Sequence, residues 1–222
     1  MAFAGFGPEV VAFYDGLEAD NSRGWWTAHR AVFDEQVAAP MRALAEQLEP
    51  EFGPVKLFRP NRDVRFSRDK TPYKTEAGMT VGTAAGGLYA AVSADGLFVA
   101  GGLWQAQTDQ ARRLRAAAAD DRTGPPLTRA VAELRAAGWE VDGRRLVRVP
   151  EPWDDSHPRA DLLHLKTLTG GRRYEPGPWL ADAAAADRVV DGWRELAALV
   201  HWLDRHVGPS DRPRQAAGDR AR

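Results

Sequence analysis

Residues 75–103 have the sequence TEAGMTVGTAAGGLYAAVSADGLFVAGGL, and this stretch decides the fold class. Three runs in it are short, bounded by glycine and rich in alternating or β-forming residues: Thr75–Gly82, Gly87–Ser93 and Leu97–Leu103. Asp95-Gly96, which separates the second run from the third, is a strong signal for a tight hairpin turn. The stretch therefore predicts an antiparallel meander.

The residues before the meander are expected to be helical. Two sets of apolar side chains recur at the spacing of a helix face: Val10, Phe13, Tyr14 and Leu17, then Trp25, Trp26, Val32, Phe33 and Val37. Pro8 suits the first position of the first helix, and Asn21 or Ser22 would cap the second. Pro40 interrupts the second helix, and a further helical stretch is predicted to extend to Pro50.

Helices are also predicted after the meander. Thr108 would cap one that extends to about Ala119, and Pro125-Pro126 would open another that ends near Gly138. A short helix is expected to start at Pro158. Six apolar residues near the end of the chain are spaced four and three apart and predict one face of a single long helix: Val189, Trp193, Leu196, Val200, Leu203 and Val207.

A second hairpin is predicted around Asp142-Gly143, with Trp139–Val141 and Leu146–Val149 as its strands. Together these elements predict a single α+β domain over residues 1–207, in which N-terminal and C-terminal helices flank an antiparallel sheet. Residues 208–222 contain two prolines and almost no apolar side chain, so we expect a disordered C-terminal tail.

Composition restricts the classes of function. The 222 residues contain no cysteine, which excludes disulfides, thiolate metal sites and a cysteine nucleophile. No apolar run approaches the roughly 18 residues of a membrane helix, and the N-terminus lacks a basic signal region. We therefore expect a soluble, cytoplasmic protein with no membrane partner. The net charge of −1 disfavours nucleic acid as a partner, because proteins that bind it by bulk charge are strongly basic.

The most conspicuous segment is Arg59–Lys74, with the sequence RPNRDVRFSRDKTPYK. Six of its 16 residues are basic and two are acidic, and it holds two of the four lysines in a chain with 26 arginines. Two prolines prevent a continuous helix, so the charged groups must lie on a strand or loop. If residues 61–67 are extended, Asn61, Asp63, Arg65 and Ser67 share one face.

Three uses fit this segment. Arginine forks and lysine ammonium groups could bind a phosphorylated or carboxylated small molecule, with Asp63 and Asp69 positioning the arginines or acting as acid and base groups. The same charges could form a structural ion-pair network that fastens a long loop to the core. They could also form a surface for another protein. A nucleic-acid interface with aromatic stacking is a further alternative.

The string R-x-x-R-D-x-R-F-S-x-D-K-x-P-Y-K resembles the signature of an uncharacterised domain-of-unknown-function family of bacteria and fungi, a conserved hypothetical protein. Phe3–Phe6, Asn21 with Trp25, and residues 146–168 also resemble that family. The resemblance covers nearly the whole chain and implies an α+β fold. It implies no activity, so it leaves open whether the protein is an enzyme.

His157 and Lys166 are the expected distant contributors to the site. His157 lies among Asp154, Asp155 and Asp161, but the five histidines lack ligand spacing, so we expect no metal. A simpler interpretation is that His157 bonds to its own loop at a helix start. The chain has no P-loop, dinucleotide loop or G-x-S-x-G elbow, and we expect no cofactor.

An anion-binding site is accordingly the functional hypothesis that the sequence favours. Its predicted ligand-binding residues come mainly from one segment: Arg59, Arg62, Asp63, Arg65, Ser67, Asp69, Lys70, Tyr73, Lys74, His157 and Lys166. No catalytic residue is assigned among them.

Overall fold

The computed structural model describes residues 3–65 and 68–211 and has the predicted α+β architecture. Its strands are β1 (Val55–Leu57), β2 (Glu76–Gly82), β3 (Gly87–Ser93), β4 (Gly96–Leu103), β5 (Glu140–Asp142) and β6 (Leu168–Tyr174). They form one six-stranded antiparallel sheet in the order β1-β2-β3-β4-β6-β5. The register of the first pair places Lys56 of β1 opposite Thr80 of β2.

Helices precede and follow the meander β2–β4. They are α1 (Val10–Ala19), α2 (Arg23–Val32), α3 (Ala39–Phe52), α4 (Thr108–Ala119), α5 (Gly124–Ala136), α6 (Ala160–Leu163), α7 (Ala184–Glu195) and α8 (Ala197–His206). A π-helical turn, Phe33–Ala38, connects α2 to α3, and a 3₁₀ turn, Pro178–Ala181, precedes α7. Antiparallel strands with flanking helices confirm the predicted fold class.

The N-terminal helices form where the sequence predicts them. The Ser22 hydroxyl accepts a hydrogen bond from the Trp25 amide at 3.1 Å, which caps α2. The winding changes before Pro40 because proline has no N–H to donate to the preceding turn. The carbonyl of Gln36 instead accepts the Gly7 amide at 3.0 Å. The interruption at Pro40 therefore ties the N-terminal segment to this helical region.

The meander is also confirmed, with boundaries within one residue of those predicted. Gly96 follows the turn between β3 and β4 and has a φ of +90°, which favours glycine. A Cβ at this position would lie 2.2 Å from the carbonyl oxygen of Tyr174, so the close approach also requires glycine. The Asp95-Gly96 signal thus combines a turn requirement with a packing requirement.

The second predicted hairpin is wrong. Only its first strand forms, as β5, and the sheet neighbour of β5 is β6. The following segment pairs elsewhere: Arg145 bridges to Leu165, and the Leu146 amide donates to the carbonyl of His164 at 2.7 Å. The Asp142-Gly143 dipeptide allows a turn but does not determine which chain segment lies beside β5. A smaller correction concerns α4, which is capped by Gln107.

Strand β6 was not predicted, because its sequence LTGGRRY shows no apolar alternation. Packing explains one of its glycines, since a Cβ on Gly171 would lie 2.9 Å from the Phe98 ring. The single long C-terminal helix is wrong as well. Leu196 separates α7 from α8 with a ψ of −10°, although it is fully buried. An apolar stripe shows which residues are buried but does not require an unbroken helix axis.

The chain contacts define two compact units, and each has an apolar core. The first comprises Met1–Gly82, Leu88–Ala100 and Gly171–Arg194, and it buries Tyr14, Leu17, Leu44, Met79 and Trp193. The second comprises Thr83–Gly87, Gly101–Gly170 and Glu195–Arg222, and it buries Leu114, Leu127, Leu163 and Leu199.

The remaining predictions concern the domain boundary, membrane-spanning helices and the location of the protein. A single domain over residues 1–207 stays a prediction, and most of the predicted tail, residues 212–222, lies outside the described residues. None of the described helices is both long and apolar enough to span a bilayer. The cytoplasmic location also stays a prediction.

Candidate functional site

The charged segment forms a loop between β1 and β2 whose two ends are joined by backbone hydrogen bonds. The Arg62 amide donates to the Pro72 carbonyl and the Lys74 amide to the Pro60 carbonyl, each at 2.8 Å. Asn61 and Tyr73 form an isolated antiparallel bridge between these bonds. Beyond Asn61, the described residues up to Arg65 are not in a strand, so the charged groups lie on a loop, which is one of the two predicted alternatives. Phe66 and Ser67 lie outside the described residues.

Tyr73 fastens the base of this loop to the helical region. Its ring is 8% exposed and stacks on Trp26 of α2, with 4.2 Å between the ring centroids and 9° between the ring planes. The Asn21 side-chain amide accepts the Tyr73 N–H and donates to the Tyr73 carbonyl, both at 3.1 Å. These contacts give Tyr73 a structural role that needs no ligand.

The ion pairs of the segment form within the loop itself. Arg62 Nη1 lies 2.6 Å from an Asp69 carboxylate oxygen and 2.6 Å from the Thr71 hydroxyl. The Arg65 guanidinium donates two hydrogen bonds to the Asp63 carboxylate, of 2.9 Å and 2.7 Å. All of these side chains are at least one-third exposed except Thr71, and exposed pairs contribute little stability. The pairs order the loop internally and do not connect it to the core.

Both carboxylates have a lowered pKa. Hydrogen bonds from Arg65 lower the pKa of Asp63 from 3.8 to about 2. Hydrogen bonds from the Thr71 amide and hydroxyl, supported by Arg62, lower the pKa of Asp69. An acid–base role would be favoured by the opposite shift, with desolvation raising the pKa towards neutrality. The geometry thus assigns these carboxylates to positioning the arginines.

The two lysines differ in their surroundings. Lys70 Nζ donates to the Val64 carbonyl at 2.9 Å and remains exposed. Lys74 Nζ lies 4.9 Å from the centroid of the Phe58 ring. Burial lowers the pKa of Lys74, the nearby Glu76 opposes this shift, and Arg59 adds to it. Lys74 and Arg59 therefore contribute positive charge to the same side of the loop base.

Arg59 opens onto a cleft that we call the Arg59 cleft. Its volume is about 350 Å³, and its lining comes from α2, the π-helical turn, α3, the end of β1, the segment after β1, and β2: Arg30, Phe33, Asp34, Ala38, Met41, Arg42, Leu57, Phe58, Arg59, Pro60, Ala77 and Gly78. All of these residues belong to the first compact unit. The apolar lining includes Phe58, which is unusually exposed for an aromatic side chain at 38%.

Two of the three arginines in this cleft are unpaired. Arg30 donates from Nε to both oxygens of Asp34, at 3.0 Å and 2.9 Å, and its guanidinium lies 5.9 Å from the Trp26 ring centroid. The side chains of Arg42 and Arg59 make no hydrogen bond or ion pair with any other described residue. The cleft therefore has an excess of positive charge with free donors.

Arg30 and Arg42 were not predicted as site residues. Arg30 and Asp34 are four residues apart and would share one helix face, whereas Arg42, 12 residues beyond Arg30, would lie roughly a third of a turn away on a regular helix. That signal is weak because Arg/Asp pairs at this spacing are common on solvated helix surfaces. Only the folded chain brings Arg42 and Arg59 to one cleft.

His157 and Lys166 belong to the second unit. His157 Nδ1 accepts the Arg159 amide at 3.0 Å, and the His157 carbonyl accepts the Ala160 amide at 2.9 Å. These bonds match the simpler interpretation of His157 as a helix-start residue. Lys166 is exposed, and its backbone amide donates to Arg144. Within residues 3–65 and 68–211, no three His, Asp or Glu side chains converge as metal ligands.

Comparison with known proteins agrees with the fold and leaves the chemistry open. No curated protein matched the chain. A family model described as conserved hypothetical protein (DUF2461) matches residues 9–202, which include the charged loop, the Arg59 cleft and most of both units. The chain therefore belongs to the conserved hypothetical protein family DUF2461.

Proposed function

We propose that this protein binds a small phosphorylated or carboxylated molecule in the Arg59 cleft. The observation that carries the proposal is that Arg42 and Arg59 line one concave site and that neither side chain has a partner among residues 3–65 and 68–211. A guanidinium group offers a planar fork of donors that matches two oxygens of a carboxylate or phosphate. Two unpaired guanidinium groups on one cleft repel each other, and a bound anion would relieve that repulsion.

The apolar lining indicates what else the ligand contains. Phe33, Met41 and Phe58 share the cleft with the arginines. Binding sites for small molecules commonly combine apolar walls with a few placed polar groups. We therefore expect an anion attached to an apolar or aromatic body, which would cover Phe58 and displace water from the cleft.

The charged loop contributes by position and by charge. Arg62 and Arg65 are already paired with Asp69 and Asp63, so they have fewer donors available than Arg59. Lys74, beside Arg59 and Phe58, adds positive charge, which the nearby Glu76 carboxylate partly offsets. In this proposal the loop holds Arg59 at the cleft, with Lys74 close to it, and no reaction is assigned.

A thermal-shift comparison tests the proposal. Inorganic phosphate, benzoate and phenyl phosphate are added separately at millimolar concentration, and each increase in Tm measures preferential binding to the folded chain. Phenyl phosphate should raise the Tm most, because it combines the anion with an aromatic body. Benzyl alcohol serves as the neutral control. The absence of any increase with all three anions would refute the proposal.

A further inference from the structure

The second compact unit contains another basic cleft, which we call the Arg205 cleft. Its volume is about 430 Å³, and it is lined by residues from the start of α5 and from α8: Arg122, Thr123, Pro126, His201, Trp202, Arg205 and His206. Four of these seven side chains are basic and none is acidic. All of them belong to the second unit, so this cleft is separate in sequence and composition from the Arg59 cleft.

The carboxylates closest in sequence to these bases are occupied by other groups. Asp120 accepts the amides of Arg122 and Thr123, at 2.8 Å and 3.0 Å. Asp121 pairs with Arg159 at 2.9 Å. Asp204 accepts the Thr83 hydroxyl at 2.8 Å and the Ala85 amide at 2.7 Å. None of these acids bonds to a basic side chain of the cleft.

The basic side chains themselves are free to bind. In the part of the chain that the structure describes, the side chains of Arg122, His201 and Arg205 make no hydrogen bond or ion pair. His201 and Arg205 are four residues apart on α8 and so point to the same side of the helix. Each guanidinium provides a fork of donors, and an imidazole provides at least one N–H in either protonation state.

The wall of the cleft is rigid. Trp202 is 6% exposed, and its indole N–H donates to the Thr123 carbonyl at 2.8 Å, which fixes α8 against the start of α5. The His206 ring lies beside the indole, with 5.0 Å between the ring centroids. The bases therefore extend from two helical elements whose mutual position is set by a buried contact. Binding a ligand therefore needs ordering of the exposed basic side chains but no rearrangement of the two helical elements.

We infer that the Arg205 cleft is a phosphate site, which binds inorganic phosphate or the phosphate group of a small monoester. Phosphate fits better than carboxylate because several cationic donors from two elements suit a tetrahedral dianion with more than two acceptor oxygens. Four of its seven lining side chains are basic, so the phosphate group itself is the recognised part.

Isothermal titration with inorganic phosphate tests this inference with and without Arg122→Gln/Arg205→Gln, in an Arg42→Gln/Arg59→Gln background so that the Arg59 cleft does not contribute. Both guanidinium groups supply charge-assisted hydrogen bonds, so losing them should weaken binding by about 100-fold or more. Arg129→Gln is the matched control, because Arg129 is an exposed arginine of α5 outside the cleft whose side chain has no partner among the described residues. That control should leave the phosphate affinity of the background protein unchanged.

The indole N–H resonance of Trp202 locates the binding. It should shift when phosphate is added to the wild type and to Arg42→Gln/Arg59→Gln, but not when phosphate is added to Arg122→Gln/Arg205→Gln. Titration with glycerol 3-phosphate distinguishes the two candidate ligands. Tighter binding of this ester than of inorganic phosphate indicates an organic monoester, and equal or weaker binding indicates inorganic phosphate. Equal phosphate affinity with and without Arg122→Gln/Arg205→Gln in the Arg42→Gln/Arg59→Gln background, or no binding to the folded background protein, would overturn the inference.

Discussion

Arg59, Arg62 and Arg65 are alike in sequence but differ in their partners. Arg62 and Arg65 are bonded to carboxylates of the same loop, whereas Arg59 faces a cleft without a partner in the described residues. The sequence predicted all three as one anion-binding set because charge and spacing do not show which arginines will form ion pairs with carboxylates of the loop. At the residue scale, availability of donors distinguishes them.

Tyr73 should matter to stability more than any charged residue of its segment. Tyr73→Ala removes a buried ring stacked on Trp26 and should lower the free energy of unfolding by about 3–5 kcal/mol. Asn21→Ala removes both hydrogen bonds to the Tyr73 backbone and should cost about 1–3 kcal/mol. Equilibrium urea unfolding measures both. Val147→Ala, at a side chain that is 97% exposed, is the control and should change little. A Tyr73→Ala effect as small as that of the control would contradict the anchoring role.

The pKa of Asp63 gives a prediction about pH. Its folded-state pKa of about 2 lies below the ordinary 3.8, so the fold favours the ionised carboxylate. The stabilisation is present above pH 3.8 and is lost as pH falls through 2. In Arg65→Gln, the pKa of Asp63 should return towards 3.8, as a carbon-13 NMR titration of the carboxyl group would show. An unchanged titration in that variant would show that Arg65 is not the cause.

At the scale of elements, helices and strands were predicted correctly where the sequence signal involves only neighbouring residues. Ser22 as the α2 cap and the meander β2–β4 are confirmed, because caps, turns and short apolar runs act on neighbouring residues. Strand β6 was missed because close packing selects Gly171, and no periodic pattern indicates this. The hairpin at Asp142-Gly143 was predicted wrongly because a turn signal does not determine which distant strand pairs with β5.

Gly96 tests how the meander is constrained. Gly96→Ala would place a Cβ against the Tyr174 carbonyl oxygen at a φ of +90°, so we expect a loss of about 1–3 kcal/mol. Gly82→Ala is the matched control, because a Cβ there would meet no atom within 4 Å and the φ is not positive. Thermal unfolding of both variants makes the comparison. Equal Tm values would mean that the turn adjusts without strain.

At the scale of the whole molecule, a net charge of −1 conceals local excesses of positive charge. The Arg59 cleft combines residues from helices, the π-helical turn and strands of the first unit, and these lie up to 48 residues apart in the chain, from Arg30 to Gly78. Arg59 is recognisable in the sequence because it belongs to a dense motif. Arg42 is not, since it is an ordinary exposed helix position until the fold places it at the cleft.

The most direct test of the Arg59 cleft is the Kd of phenyl phosphate with and without Arg42→Gln/Arg59→Gln, measured by isothermal titration in an Arg122→Gln/Arg205→Gln background so that the Arg205 cleft does not contribute. Loss of two charge-assisted contacts should raise the Kd by about 100-fold or more, while the variant stays folded because both side chains are exposed. Arg23→Gln, which changes an exposed and unpaired arginine of α2 outside the cleft, should leave the Kd unchanged. An unaltered Kd in the double variant would contradict the proposed site.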